Sequence, residues 1–222
     1  MKKIYMSADP ALTAYYAQRA AEYERIYIKP ERQTDLALLR KRIPMLLADR
    51  VVYEVACGTG YWTQFIAPAA RSIFATDFNE DVLAVARTKP VPEDRVFYAR
   101  ADAFNLPAPP VRCDAGFAGF WWSHLRRDEI ENFLKGFFTR LRPGARFVFV
   151  DNRYVEGSSL PITRTDAEGN TFQERQLDDG TRHEVLKNFP DAAALRSLLE
   201  PYVKRSAVES LPYYWLAWGD AR

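Results

Sequence analysis

The sequence predicts an α/β domain built on a doubly wound, mostly parallel sheet, and three observations carry that prediction. Short β-branched or aromatic runs alternate with helical segments through the middle of the chain. The first run enters a glycine turn and then a helix, in VVYEVACGTGYWTQF. Finally, 222 residues with 48% hydrophobic content suffice for one large core with a modest insertion.

Two helices come first. ALTAYYAQRAAEYERIY has apolar and aromatic residues at helical spacing, and TDLALLRKRIPMLL is a second helix, bent or ended near Pro44. RVVYEVA, SIFATD, RVFYARAD, CDAGFAGFW and RFVFVDN then read as five strands, separated by helices such as DVLAVAR and EIENFLKGFFTRL. Beyond the fifth strand, Asp179-Gly180 lies between two extended stretches of TFQERQLDDGTRHEVLKNF, which signals a β-hairpin. The helix DAAALRSLLEPY and the strands VKRSAVES and YYWLAWG finish the chain. With no repeat, low-complexity segment or long linker, the expectation is a single domain over 1–222, with helices in 1–48 and a hairpin insertion in 152–190.

A net charge of +2 demands neither nucleic acid nor an anionic membrane as partner. Cys57 and Cys113 make no disulfide framework, and a reducing cytoplasm fits them. The opening MKKIYMSADPALTAYY lacks the apolar stretch of an export signal, and no run of eighteen apolar residues occurs, so the expectation is a soluble, cytoplasmic protein. No CxxC pair occurs and the histidines are His124 and His183 alone, so no metal site is expected.

Several cofactors use a glycine turn of this kind. A phosphate-binding P-loop needs Lys and then Ser or Thr after its last glycine, whereas Gly60 is followed by Tyr61 and Trp62. A dinucleotide fingerprint would set its third glycine at Thr63, where close helix packing disfavours a side chain. What remains is Glu54 ahead of Gly58 and Gly60, with a second acid, Asp77, at the end of the next strand. That arrangement suits a mononucleoside whose ribose is held by Asp77.

On these residues the chain resembles the class I S-adenosylmethionine-dependent methyltransferases. EVACGTG is similar to their first motif, with Ala56 in place of its first glycine; FATDFNEDVL, ARADAFNLP and LRPGARFVFVD are similar to later motifs in the same order. The resemblance implies a Rossmann-like seven-stranded sheet, S-adenosylmethionine as cofactor and S-adenosylhomocysteine as product. It further implies that Asp77 binds the ribose, Phe78 borders the adenine, Asp102 meets the adenine amino group and Ala103 supplies a backbone amide, with Trp62 and Phe120 in the same site. YYAQRAAEYE, CGTGYWT, FWWSHL, the hairpin and YYWLAW together resemble the small bacterial natural-product branch that includes the phosphonate O-methyltransferase of dehydrophos biosynthesis. That closer likeness implies an N-terminal helical lid, carrying Tyr16 and Arg19 towards the cofactor, and a cationic acceptor pocket.

Methyl transfer requires in-line positioning of a nucleophile and no metal. A hydroxyl or amine acceptor also needs a base, for which His124 after the fourth strand is the candidate; the other reading is a surface histidine capping the next helix. Tyr15, Tyr16, Arg19 and Tyr23 share one side of the first helix, as a lid or as ordinary packing, and Tyr23 is a candidate for the acceptor. Trp121 and Trp122 are candidates to wall the site beside a sulfonium, with burial of one of them expected. Arg175 and Lys187, one on each hairpin strand, are candidate anion ligands, whereas Arg182 reads as solvated. The expected function is methylation of a small molecule, foremost at oxygen of an anionic or hydroxylated natural-product-type metabolite. N- or C-methylation, another reaction of the same cofactor, and binding without turnover stay open. The expected partners are a small-molecule acceptor, no nucleic acid and no membrane, in a monomer or homodimer.

Overall fold

Alternation along the central strands sends neighbouring side chains into two different cores. The structure, a computed structural model, describes residues 23–222. β1 (Val51–Val55) gives Val52 to one face and Tyr53 to the other, and β5 (Leu141–Asn152) gives Val148 and Val150 to the first and Phe147 and Phe149 to the second. The first face is covered by α1 (Gln33–Leu46), whose Leu36, Leu39 and Ile43 are fully buried at helical spacing. The second is covered by α4 (Ile130–Thr139) through Phe133, Leu134 and Phe137, and by α5 (Ala192–Leu199) through Leu195 and Leu199.

The sheet has seven strands in the order β3-β2-β1-β4-β5-β10-β9, with β2 Ser72–Asp77, β3 Val96–Arg100, β4 Cys113–Gly119, β9 Val203–Ser210 and β10 Tyr214–Ala221. β10 runs antiparallel to both of its neighbours, and the remaining pairs are parallel. Two short helices complete the first half, α2 (Thr63–Ile66) and α3 (Glu80–Ala86). The chain winds outward from β1 to β3 and then returns to lay β4 on the other side of β1, so the strand order reverses between β1 and β4. A crevice opens at the carboxyl ends of such a pair, and ligands of open α/β sheets bind there.

The expected hairpin forms a second sheet, β6 (Arg164–Thr165), β7 (Thr171–Gln176) and β8 (Arg182–Leu186). Gly180 supplies a left-handed φ of 85° at the turn, and Asp179 Oδ1 accepts the Thr181 N–H at 2.9 Å. The helix expected to bend or end near Pro44 ends two residues past it, at Leu46. Another expectation shifts: the end of the expected first helix is a 3-10 turn, Tyr23–Tyr27, three residues before Pro30, whose ring disfavours a helical residue ahead of it. Tyr15, Tyr16 and Arg19 lie outside the described residues, as does the side chain of Tyr23. Among the described residues no helix is long and apolar enough to cross a membrane.

Candidate active site

The loop after β1 is shaped by three left-handed residues at alternate positions, Ala56 (φ 54°), Gly58 (φ 57°) and Gly60 (φ 75°). At Gly60 a side chain would also crowd α3, since an added Cβ would lie 3.1 Å from Ala86 Cβ. Ala56 adopts the same conformation with a Cβ, at a steric cost of about 1–2 kcal/mol. Asp77 fixes the loop: its two oxygens accept N–H groups from Gly58 and Asn79, both at 2.9 Å, while Asn79 caps α3 through the Asp81 N–H. Burial nevertheless raises the Asp77 carboxyl above its ordinary value, with these backbone donors opposing the shift.

Glu54 lies beneath the loop, 1% exposed, with Thr63 Oγ1 donating to Oε2 at 2.9 Å. Burial pushes its carboxyl up to about 8; the Thr63 hydrogen bond opposes this and the charge of Asp77 adds to it. A buried carboxylate with so little donor support fits a cationic ligand group such as the cofactor's ammonium. Each Asp77 oxygen has a second lone pair for a ribose hydroxyl. Phe78 is half-buried beneath the Arg100 guanidinium, 5.1 Å from its ring centroid. Asp102 Oδ1 is engaged by the Phe104 N–H at 2.9 Å, and Ala103 is buried. The residues present therefore fit S-adenosylmethionine.

Across the crevice, β4 ends in Phe120, a bulky residue held at φ 60° with its N–H bonded to Val150 O at 2.7 Å. Its ring stacks on Trp62 at 5.9 Å and meets the rings of Tyr27 and Tyr214 edge-on, at 5.5 Å each. Trp62, expected beside the cofactor, is 3% exposed within this aromatic cluster. Trp122 is the buried member of its pair, packed on Phe149 and Trp215, while Trp121 is half-buried against Phe104 and Phe133.

The 3-10 turn Trp122–His124 is pinned by Asp151, which is fully buried and accepts from Ser123 N at 2.8 Å and Ser123 Oγ at 3.0 Å. Lys187 reaches the same spot. Its Nζ donates to Ser123 Oγ at 2.6 Å and lies 3.7 Å from Asp151 Oδ1 and 3.4 Å from His124 Nε2. Lys187 directly follows the last residue of β8 rather than lying within the strand, and is 5% exposed with the buried Asp151 carboxylate beside it. His124 is likewise buried rather than a surface cap.

Phe120, His124, Arg175 and Lys187 line one cavity of about 570 Å³. Arg175 stands on β7, half-buried, opposite His183 in the register. Arg182 also lines the cavity, and it is exposed and paired with Glu174 at 3.1 Å. Three lining cations were missed by the sequence reading, which holds no local pattern that marks them: Arg25, exposed and paired with Asp178, and the more buried Lys29 and Arg32. The burial of the latter two comes from the segment around Ser158, more than a hundred residues away. Among the described residues no cluster of three or more His, Cys, Asp or Glu could hold a metal.

A family model for a methyltransferase domain matches residues 52–144. A probable S-adenosylmethionine-dependent methyltransferase of Mycolicibacterium smegmatis is 29% identical over 66% of this chain and 54% of its own length. A demethylmenaquinone methyltransferase of Clavibacter sepedonicus is 30% identical over 47% of this chain and 42% of its own. The chain thus spans about half the length of these curated relatives. Among solved structures, the DhpI-SAM-HEP complex superposes with a TM-score of 0.76 at 25% identity, covering 94% of this chain and 95% of that one. The DhpI-SAH complex gives a TM-score of 0.74 at 26% identity and covers 94% of each chain. With its motifs, its sheet order and its likeness to these complexes in agreement, the chain matches a methyltransferase domain over residues 52–144 and resembles the class I S-adenosylmethionine-dependent methyltransferases, the DhpI complexes among them.

Proposed function

We propose that the chain methylates an anionic oxygen of a small molecule held in the cationic cavity. The observation that carries this reading is the lining of that cavity, where Lys29, Arg32, Arg175 and Lys187 converge beside Phe120 at the switch point of the sheet. Bound S-adenosylmethionine supplies a methyl carbon on a sulfonium, open to in-line attack from the side away from sulfur. The chain's own residues do the positioning. Arg175 offers a forked donor suited to an oxyanion. Phe120, Tyr27 and Tyr214 form an aromatic wall that keeps water from that side. His124 Nε2 lies 3.4 Å from the Lys187 Nζ, a cationic setting that suits an acceptor already carrying its charge and needing no proton removed. The near-balanced net charge of +2 supports a small acceptor rather than a nucleic acid.

His124→Asn tests the reading. For an anionic acceptor kcat is expected to fall less than about tenfold, whereas general-base catalysis contributes roughly 10²–10⁴. A fall in that larger range, with cofactor affinity unchanged in calorimetry, would replace the anionic oxygen with a hydroxyl or amine.

A further inference from the structure

We infer that the cavity holds a second oxyanion subsite, built by Lys29 and Arg32 opposite the hairpin, and that the acceptor is a molecule carrying two anionic groups. The inference rests on the anionic-acceptor reading above and deepens it. Arg32 is 5% exposed, yet the acceptors of its hydrogen bonds are neutral: Nε donates to Ser158 Oγ at 3.0 Å and Nη1 to Asn152 Oδ1 at 3.0 Å. The Tyr213 and Tyr214 rings face its guanidinium at 5.3 Å and 5.6 Å. Lys29 Nζ donates to the Ser158 carbonyl at 2.5 Å, also neutral. The hydrogen-bond acceptors of Arg32 are thus dipoles and the carboxylate that its charge reaches, Glu31, is exposed; a buried guanidinium so held is costly unless an anion joins it.

The contrast with Lys187 is chemical. Asp151 stands 3.7 Å from the Lys187 ammonium, but between Asp151 and Arg32 lies the amide of Asn152, which accepts from Arg32 and donates to Asp151 Oδ1 at 3.0 Å. The carboxylate that the Lys29 segment does carry, Glu31, is exposed and accepts from Ser158 Oγ at 2.7 Å, away from solvent exclusion. Burial, with the charges of Arg32 and Arg175, lowers Lys29 below its ordinary value against the pull of Glu31, so cations from both sides of the cavity act on one another. One anion near Arg175 leaves the other side uncompensated. A two-headed acceptor satisfies both.

The test is calorimetry on the full chain saturated with S-adenosylhomocysteine. The probes are straight-chain dicarboxylates from succinate to pimelate, each against the monocarboxylate of the same length. A diacid of matching span is expected to bind about tenfold or more tighter than its monoacid, the worth of one charge-assisted contact. Lys29→Met and Arg32→Met are expected to reduce the diacid to the monoacid's affinity; Lys29, half-buried, serves if the Arg32 variant fails to fold. Equal binding of diacids and monoacids at every length overturns the second subsite alone. No binding of either class overturns the anionic-acceptor reading as well.

Discussion

The two ends of the site are built from opposite charges. At the cofactor end, Glu54 and Asp77 are carboxylates under a loop of backbone N–H groups, and burial raises both of their pKa values. At the acceptor end, the cavity gathers cations on the segment around Pro30, on β7 and just past β8. A sulfonium cofactor and an anionic acceptor would each meet the complementary sign, and Phe120 stands where the ends join. The comparison teaches that charge in this site is sorted by strand end: β1 and β2 carry their acids at or next to their last residues, while the cations of the cavity come from segments packed beside β4 and β5, with Glu174 and Asp178 lining the same cavity.

The sharpest way to break that picture lies within the acceptor end. Lys187→Met leaves Asp151 buried without its ammonium, and loss of one member of a buried pair costs on the order of 3 kcal/mol. Thermal unfolding is expected to fall by roughly 6–12 °C. Arg175→Met, at a half-buried strand position, is expected to leave the midpoint within a few degrees while weakening oxyanion binding about tenfold or more. Equal melting losses in both variants would make the hairpin cations structural alike.

At the cofactor end the probe is pH. The folded chain keeps a proton on Glu54 up to about 8, whereas the unfolded carboxyl releases it near 4.5, so the folded state binds more protons in that window. Stability of the cofactor-free protein therefore falls as pH rises from about 5 to 8, and Asp77, raised as well, adds a contribution of the same sign. Glu54→Gln keeps an oxygen for the Thr63 hydroxyl and removes the charge. Its melting temperature is expected to match the parent near pH 5 and exceed it near pH 8. Parallel curves across that range would show that Glu54 is ionised throughout.

The smallest effect belongs to Ala56. Its left-handed conformation costs about 1–2 kcal/mol, of which glycine's extra chain entropy offsets roughly 0.5–1 kcal/mol. Ala56→Gly is thus expected to stabilise by about 0.5–1 kcal/mol in denaturant titration. A destabilised variant would mean that the methyl group contributes packing that outweighs the backbone.

The sheet was legible because its strands are short apolar runs between glycine and helical signals, and VKRSAVES matches β9 residue for residue. The hairpin was legible from Asp179-Gly180, whereas its register, with Gln176 opposite Arg182 and Leu177 bonded to Thr181, is that of a three-residue loop ending in the left-handed Gly180. The carboxylates of the first crevice follow from local order, each at or near a strand end. The acceptor cavity does not. Lys29 and Arg32 look like ordinary surface cations until the chain returns with Asn152 and Ser158 to cover them. Lys187 was found, but its neighbour Asp151 was not, because that carboxylate sits in a strand that reads as core. Trp62, expected at the cofactor from the resemblance, packs its ring into the aromatic cluster with Phe120, a contact that no local pattern announced.

The stretch that matches the methyltransferase family model, 52–144, holds Glu54, Asp77 and Asp102, while Lys29, Arg32, Arg175 and Lys187 all lie outside it. On the proposed reading, most of the acceptor's cations are inherited apart from the cofactor's carboxylates. Substitutions at Lys29, Arg32 or in the hairpin would then redraw which acceptor is held without touching Glu54, Asp77 or Asp102. A lineage built on this chain can therefore change its substrate while its methyl donor stays the same.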